Sequence, residues 1–152
     1  MSYTNLAARE QLLESLHAAA AELADAIAAL GAAHEQLDDQ QADRLEQELF
    51  RPLQRAFSLA RQTQESFAAR YSLVSADVDP PVTGAPSAGV KGFIDHAVQA
   101  VINADNELAA IQDSLMPIEV GDPELRAGLA EVRQLVNGLS HRARAFMRTF
   151  GR

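Results

Sequence analysis

The chain has no cysteine and no tryptophan. Without thiols there are no disulfides, no thiolate metal sites and no cysteine nucleophiles, and the redox compartment is left open. Without tryptophan, and with aromatics at only 5% of residues, recognition of ligands on large aromatic platforms is not indicated. Positive charge is also scarce: thirteen Lys and Arg face twenty-one Asp and Glu, for a formal net charge of −8. Nucleic-acid phosphates are met by clustered cations, so the chain as a whole is not expected to bind DNA or RNA. Long apolar runs are missing too. The longest stretch free of charged residues, 80–90, is rich in Pro and Gly, whereas a membrane span needs ~20 consecutive apolar residues. The opening MSYTNLAARE lacks the basic-then-apolar order of a secretory signal. These absences lead to the expectation of a soluble, cytoplasmic protein without a membrane span, and 152 residues suit a single domain.

What the chain does have is heptad periodicity. Leu6, Leu13, Ala20, Ile27 and His34 recur every seven residues, with Leu16, Leu23, Leu30 and Leu37 offset by three. Two later stripes follow the same alternation of three and four, from Ile94 to Ile118 and from Leu125 to Phe150. A wider stripe runs through Leu45, Leu49, Leu53, Ala56, Ala60, Phe67 and Val74. Sustained a/d spacing of this kind marks amphipathic helices that pack on one another, and no segment alternates with period two. The sequence therefore predicts an all-α protein with helices over about 4–37, 40–74, 89–116 and 122–150, and a Pro/Gly-containing connection over 75–88.

The boundaries carry their own chemistry. Asp38 is followed three residues later by Gln41, a capping-box spacing. Asp122-Pro123-Glu124 offers a capping carboxylate, a proline at the first helical position and an acid at the positive helix end. Met116-Pro117 ends the third helix. Pro52 lies inside the second pattern, where it either kinks the helix or starts it near Arg51. Reaching back along a helix of roughly 50 Å with ~15 residues requires nearly full extension, so an antiparallel up-down-up-down four-helix bundle is the economical arrangement. Charge fits that order. Residues 1–48 and 77–131 are each strongly acidic, whereas 49–74 and 132–152 are basic; the two acidic helices would then have basic neighbours, and the basic chain end would lie beside Glu10 and Glu14.

Reactive motifs are weak. Gly84 and Gly89 are spaced as in a phosphate-binding loop, but Val90 precedes Lys91, Gly92 stands where a hydroxyl is needed, and no buried strand leads in. Ala85-Pro-Ser87-Ala-Gly89 only loosely echoes a nucleophile elbow. Ser87 is better read as the cap of the third helix, where Lys91 could assist an anion on the free N–H groups. Glu14 and His17 have the spacing of a bundle metal ligand pair, but Leu13 and Leu16 take the inward positions. Asp95, His96, Asp105 and Glu107 are outward by the same test. No metal, cofactor or catalytic residue is assigned.

One surface remains as a candidate site. With Leu139, Ala143 and Phe146 inward, His141, Arg144 and Arg148 fall along the outer face of the last helix, with Arg152 beyond. This face suits an anionic partner, and it also complements the negative helix end. The expectation is a non-enzymatic structural or protein-interaction bundle, acidic overall, docking a protein or pairing as a homodimer; the alternative is a bundle that carries a metal or small ligand, of ferritin-like or carrier type.

Overall fold

A computed structural model describes residues 2–78, 89–114 and 122–150. Ser87, Arg152, Met116-Pro117 and the glycine at 84 lie outside them, as does most of the 75–88 connection. All regular elements among the described residues are helical: α1 (Ser2–Glu35), α2 (Asp39–Leu45), a π-helical turn (Glu46–Phe50), α3 (Arg51–Arg70), α4 (Gly89–Asp113), α5 (Pro123–Val136) and α6 (Leu139–Phe150).

The caps sit where the side chains foretell. Asp38 accepts the Gln41 N–H at 2.8 Å, and Asp122 accepts the Leu125 N–H at 2.8 Å with Pro123 beginning α5. The kink expected at Pro52 takes the form of the π-turn. Pro52 has no N–H to give the Glu48 carbonyl, so the turn before it widens and the Arg51 N–H bonds Glu46 O instead. The freed Glu48 carbonyl receives Arg142 from α6 at 3.5 Å. Helix two also ends earlier than expected. Ser72 turns the chain with φ +56°, and Val74, placed on the seam by the sequence, stands 92% exposed. The fourth helix is broken between α5 and α6 at Asn137-Gly138, where Gly138 takes φ +91°.

The inward stripes of α3, α4, α5 and α6 follow the predicted seams, with Phe67, Leu108, Leu129 and Phe146 among the fully buried side chains. On α1 the predicted seam is followed only in part: Leu13, Leu16, Ala20, Leu23 and Leu30 are buried, and Leu12, Ala19, Ala26, Ala29 and Ala33 widen the stripe to one side, while Ile27 and His34 are only half-buried and Leu6 is 44% exposed. The reason is the neighbour: α1 makes its most extensive contact with α4, and small buried residues on both helices, Ala26 and Ala29 of α1 and Ala97, Ala100 and Ala104 of α4, allow close approach. Ranking by hydrophobicity favours Ile27; packing favours Ala26.

The bundle is four-helical and each neighbouring pair is antiparallel, but the chain order is up-down-down-up. Arg9 lies over the Tyr71 ring at 4.1 Å and His17 meets Gln64, so α1 and α3 run opposite ways. Asp25 meets His96, and Gly89 begins α4 beside Gln36, so α4 also starts at the far end of α1. Arg70 holds Asp122, which turns α5 back upward. Around the bundle the order is α1, α3, α5 with α6, then α4. The long return judged too costly begins in the described residues: Ala76 and Asp77 are bound by Arg61, and the Ala76 carbonyl also by Gln64, while Leu73 and Val78 pack against the core. These contacts offset the entropy of extending the chain. Charge is consequently segregated. Acidic α1 and α4 are adjacent, joined across an alanine seam, and basic α3 and α6 occupy the other side.

By length and composition α1 is apolar enough to cross a membrane, with a mean hydropathy of 1.3 in its most apolar stretch; within the bundle 44% of that stretch is buried. Counting unbroken runs missed this, because Glu22 and Asp25 interrupt the run but are outweighed by alanine and leucine.

Candidate docking surface

Helix α6 is short and two-faced. Gly138 redirects the chain so that Leu139, Ala143 and Phe146 drop into the core, and Phe150 stacks on Phe146 at 6.2 Å between ring centres. The Arg44 guanidinium lies over the Phe146 ring at 5.2 Å, and Arg142 reaches the Glu48 carbonyl, so the inner edge of α6 is fixed to the π-turn. Spacing of three and four residues then brings His141, Arg144 and Arg148 onto the opposite, exposed face. None of the three has a hydrogen bond or ion pair among the described residues.

Most other arginines are engaged. Arg44 pairs with Glu48, Arg61 with Glu65 and Asp77, Arg70 with Asp122 and Glu124, and Arg133 with Asp105. The acids nearest α6 are likewise occupied, Glu48 by Arg44 and Glu46 by Arg51 at 3.8 Å. Arg55 is the exception on α3: it is exposed without a carboxylate partner, and with Arg51 it rims a broad surface depression containing half-buried Phe57, Leu59 and Leu135. Sequence reading did not single out Arg55, since nothing local distinguishes it from Arg61. The proximity expected between the basic chain end and Glu10 and Glu14 is not found. In the up-down-down-up order the end of α6 lies by the π-turn and α4, at the opposite end of the bundle from the start of α1.

The remaining candidates are placed as follows. Lys91 is exposed and paired with Asp95 at 2.7 Å, one turn further along α4 rather than at its start. His96 meets Asp25 across the α1–α4 seam at 2.8 Å. His17 contacts Gln64, Glu14 and Glu107 are exposed, and Asp105 is taken by Arg133. Among the described residues no three His, Asp or Glu side chains gather closely enough to hold a metal ion. A small, half-open hollow of about 20 Å³ beneath the π-turn is lined by Leu30, Leu53, Ile94, Val101 and Leu139 among others, with Ser140 its sole polar wall residue. A space of that size and polarity gives water too few partners and offers no chemistry.

Sequence reading missed Gln64 and, for the foreseen cap Asp122, its pairing with Arg70. Gln64 is wholly buried in the gap between the seam residues Ala60 and Phe67. Its Oε1 accepts Arg61 at 2.7 Å, and its Nε2 donates to the Ala76 carbonyl and to His17 Nδ1, each at 3.4 Å. Asp122, 2% exposed, accepts a two-pronged bond from Arg70 besides capping α5. Burial opposes the charge of Asp122, but bonds from Arg70, the Leu125 N–H and the Tyr71 hydroxyl outweigh it and hold its pKa below the ordinary carboxylate value. Burial, and then the bond to that same carboxylate, push Tyr71 upward.

The chain matches no known protein family, no curated protein and no solved structure. Function therefore has to be read from the chemistry of the surfaces.

Proposed function

We propose that this chain is a non-enzymatic interaction bundle, and that the outer face of α6 docks an acidic segment of a partner protein. The observation that carries the reading is clustering: His141, Arg144 and Arg148 share one exposed face without carboxylate partners, while Arg44, Arg61, Arg70 and Arg133 are each paired and Arg9, Arg55 and Arg126, also without such partners, are scattered over α1, α3 and α5. Free cations on a rigid helix keep their full attraction for an incoming anion, whereas paired ones must first be released. Arg supports this through its planar fork, which meets carboxylates with two bonds. The acid-rich remainder of the surface opposes a long polyanion, which favours a short acidic peptide over a nucleic acid. Binding would be modest and fast, because rim charges raise association rates more than affinity.

The experiment is fluorescence anisotropy of a labelled Glu-rich peptide titrated with the full chain. Binding that weakens with salt and drops at least about tenfold in Arg144→Glu/Arg148→Glu, equivalent to about 1.4 kcal/mol, supports the reading. Equal binding by wild type and variant, or tighter binding to single-stranded DNA of the same charge, overturns it. Metal analysis of protein purified without chelator tests the rival carrier reading; stoichiometric iron, manganese or zinc would favour that reading instead.

A further inference from the structure

We infer that the acidic surface received by the basic side of the bundle is the α1/α4 face of a second copy of this chain, an inference that rests on the docking role given to α6 above. The up-down-down-up order makes this possible, since it gathers acidic helices on one wall and basic helices on the opposite one. Helices α1 and α4 hold nine acids against Arg9 and Lys91; α3 and α6 hold seven arginines against Glu65, and α5 on the same side adds two charges of each sign. Glu10, Glu14, Glu22 and Glu107 on the acidic wall have no ion pair among the described residues, and Arg55, Arg144 and Arg148 on the basic wall have none either. The excess on each wall is therefore unspent, opposite in sign, and carried on helices running along the same bundle axis.

Each wall also has an apolar component. The acidic wall exposes small side chains between its carboxylates, Ala18, Ala21 and Ala28 of α1 among them, each half-buried. The basic wall offers the depression with Phe57, Leu59 and Leu135, reaching Ile27 at the edge of α1, with Glu131 the single acid against Arg51 and Arg55 around it. Individual exposed ion pairs contribute only ~0.2–1 kcal/mol, so they fix register and orientation while the apolar floor supplies affinity. The net charge of −8 on each copy acts against association, but at physiological salt it is screened beyond about 8 Å, leaving contacting pairs to decide. Because different walls meet, the contact is head-to-tail rather than two-fold, and each added copy leaves one wall of each kind open.

The test uses two charge-reversed variants of the full chain, one on each wall: Arg144→Glu/Arg148→Glu and Glu14→Lys/Glu22→Lys. All four positions are exposed or half-exposed, and thermal melts followed by circular dichroism confirm that the variants fold. Wild type should associate with rising concentration in sedimentation velocity, and less so as salt rises from about 0.1 M to about 1 M. Each variant alone should be monomeric. Mixed together, they should associate again, because each retains the wall its partner lacks and the two reversed walls are themselves opposite in sign. Wild type that stays monomeric at millimolar concentration overturns the inference, as do variants that still assemble alone or a mixture that stays monomeric. If the Glu-rich peptide binds while the chain remains monomeric, only this inference falls; if neither peptide nor second copy binds, the docking role of α6 falls with it.

Discussion

Arg70 and Asp122 form a two-pronged ion pair, Nε to Oδ2 at 2.9 Å and Nη2 to Oδ1 at 2.8 Å, that ties the last turn of α3 to the first turn of α5. The carboxylate does two jobs at once, since Oδ1 also caps α5 through the Leu125 N–H. Removing it leaves a partly buried guanidinium and an uncapped helix start. Asp122→Ala should therefore destabilise the fold by about 3 kcal/mol, the scale for breaking a buried pair from one side, as measured by urea unfolding.

The pH dependence follows from the direction of the shift. Because the folded-state pKa of Asp122 is lowered, its contribution is fully present above the ordinary carboxylate value, near 3.8, and is lost as pH falls through the folded value. Unfolding free energy of the wild type should fall steeply below about pH 4. In Asp122→Asn that part of the slope should be missing. Tyr71 behaves with the opposite sign: its raised pKa means the bond to Asp122 persists below the ordinary tyrosine value of 10.0 and is lost only as pH rises beyond it. A wild-type slope shared by the Asn variant would show that other carboxylates govern acid unfolding.

The π-turn makes a prediction about chain length. A π-turn is one residue longer than the α-helix it interrupts, and here the extra residue keeps Leu45 before it, Leu49 within it and Leu53 and Ala56 after it facing the same core. Deleting exposed Gln47 can be absorbed by closing the turn into an α-helix. Deleting Gln54 from α3 has no such outlet and rotates all that follows by about 100°. The first deletion should keep cooperative thermal unfolding with a lowered midpoint, and the second should abolish it.

Helices, caps and most of the core were legible because they depend on near neighbours in sequence: Asp38 with Gln41, Asp122 with Leu125, and seams spaced by three and four. The chain order was not legible. It depends on whether residues 72–78 gain enough by lying along α1 and α3, and that gain comes from Arg61 and Gln64, whose roles appear only when the groove exists. Gln64 did leave a mark, a polar residue at the seam step between Ala60 and Phe67, where an apolar side chain is the rule. The basic face of α6 was readable as a face from its spacing. Its lack of partners depends on where Glu46, Glu48 and the acids of α1 end up, which spacing alone does not determine.

Gln64 gives a test of that return path. Its orientation is set by its neighbours: Arg61 can only donate and the Ala76 carbonyl can only accept, so Oε1 faces the guanidinium and Nε2 the carbonyl, with His17 Nδ1 left to accept. Gln64→Leu preserves bulk but strands these buried groups, at about 1–3 kcal/mol. Hydrogen exchange should then speed up specifically at residues 73–78, with α5 protected as before. Uniform loss of protection would place the effect in the core instead.

Gly128 of α5 lies close against Thr63 of α3. A Cβ there would sit 2.6 Å from Thr63 Oγ1 and 2.8 Å from its Cγ2, yet 3.3 Å from its Cβ. Elsewhere in a helix interior Gly→Ala gains up to about 1 kcal/mol. Here overlap should reverse the sign, so Gly128→Ala alone is expected to destabilise by about 1–3 kcal/mol, as for an overpacked core. Thr63→Ala removes both overlapping atoms together with the bond from Thr63 Oγ1 to the Leu59 carbonyl, a small loss by itself. In that background Gly128→Ala should become neutral or stabilising, a coupling of opposite sign that a double-mutant cycle measures directly. Additive effects would mean that α3 and α5 stand further apart than these distances require.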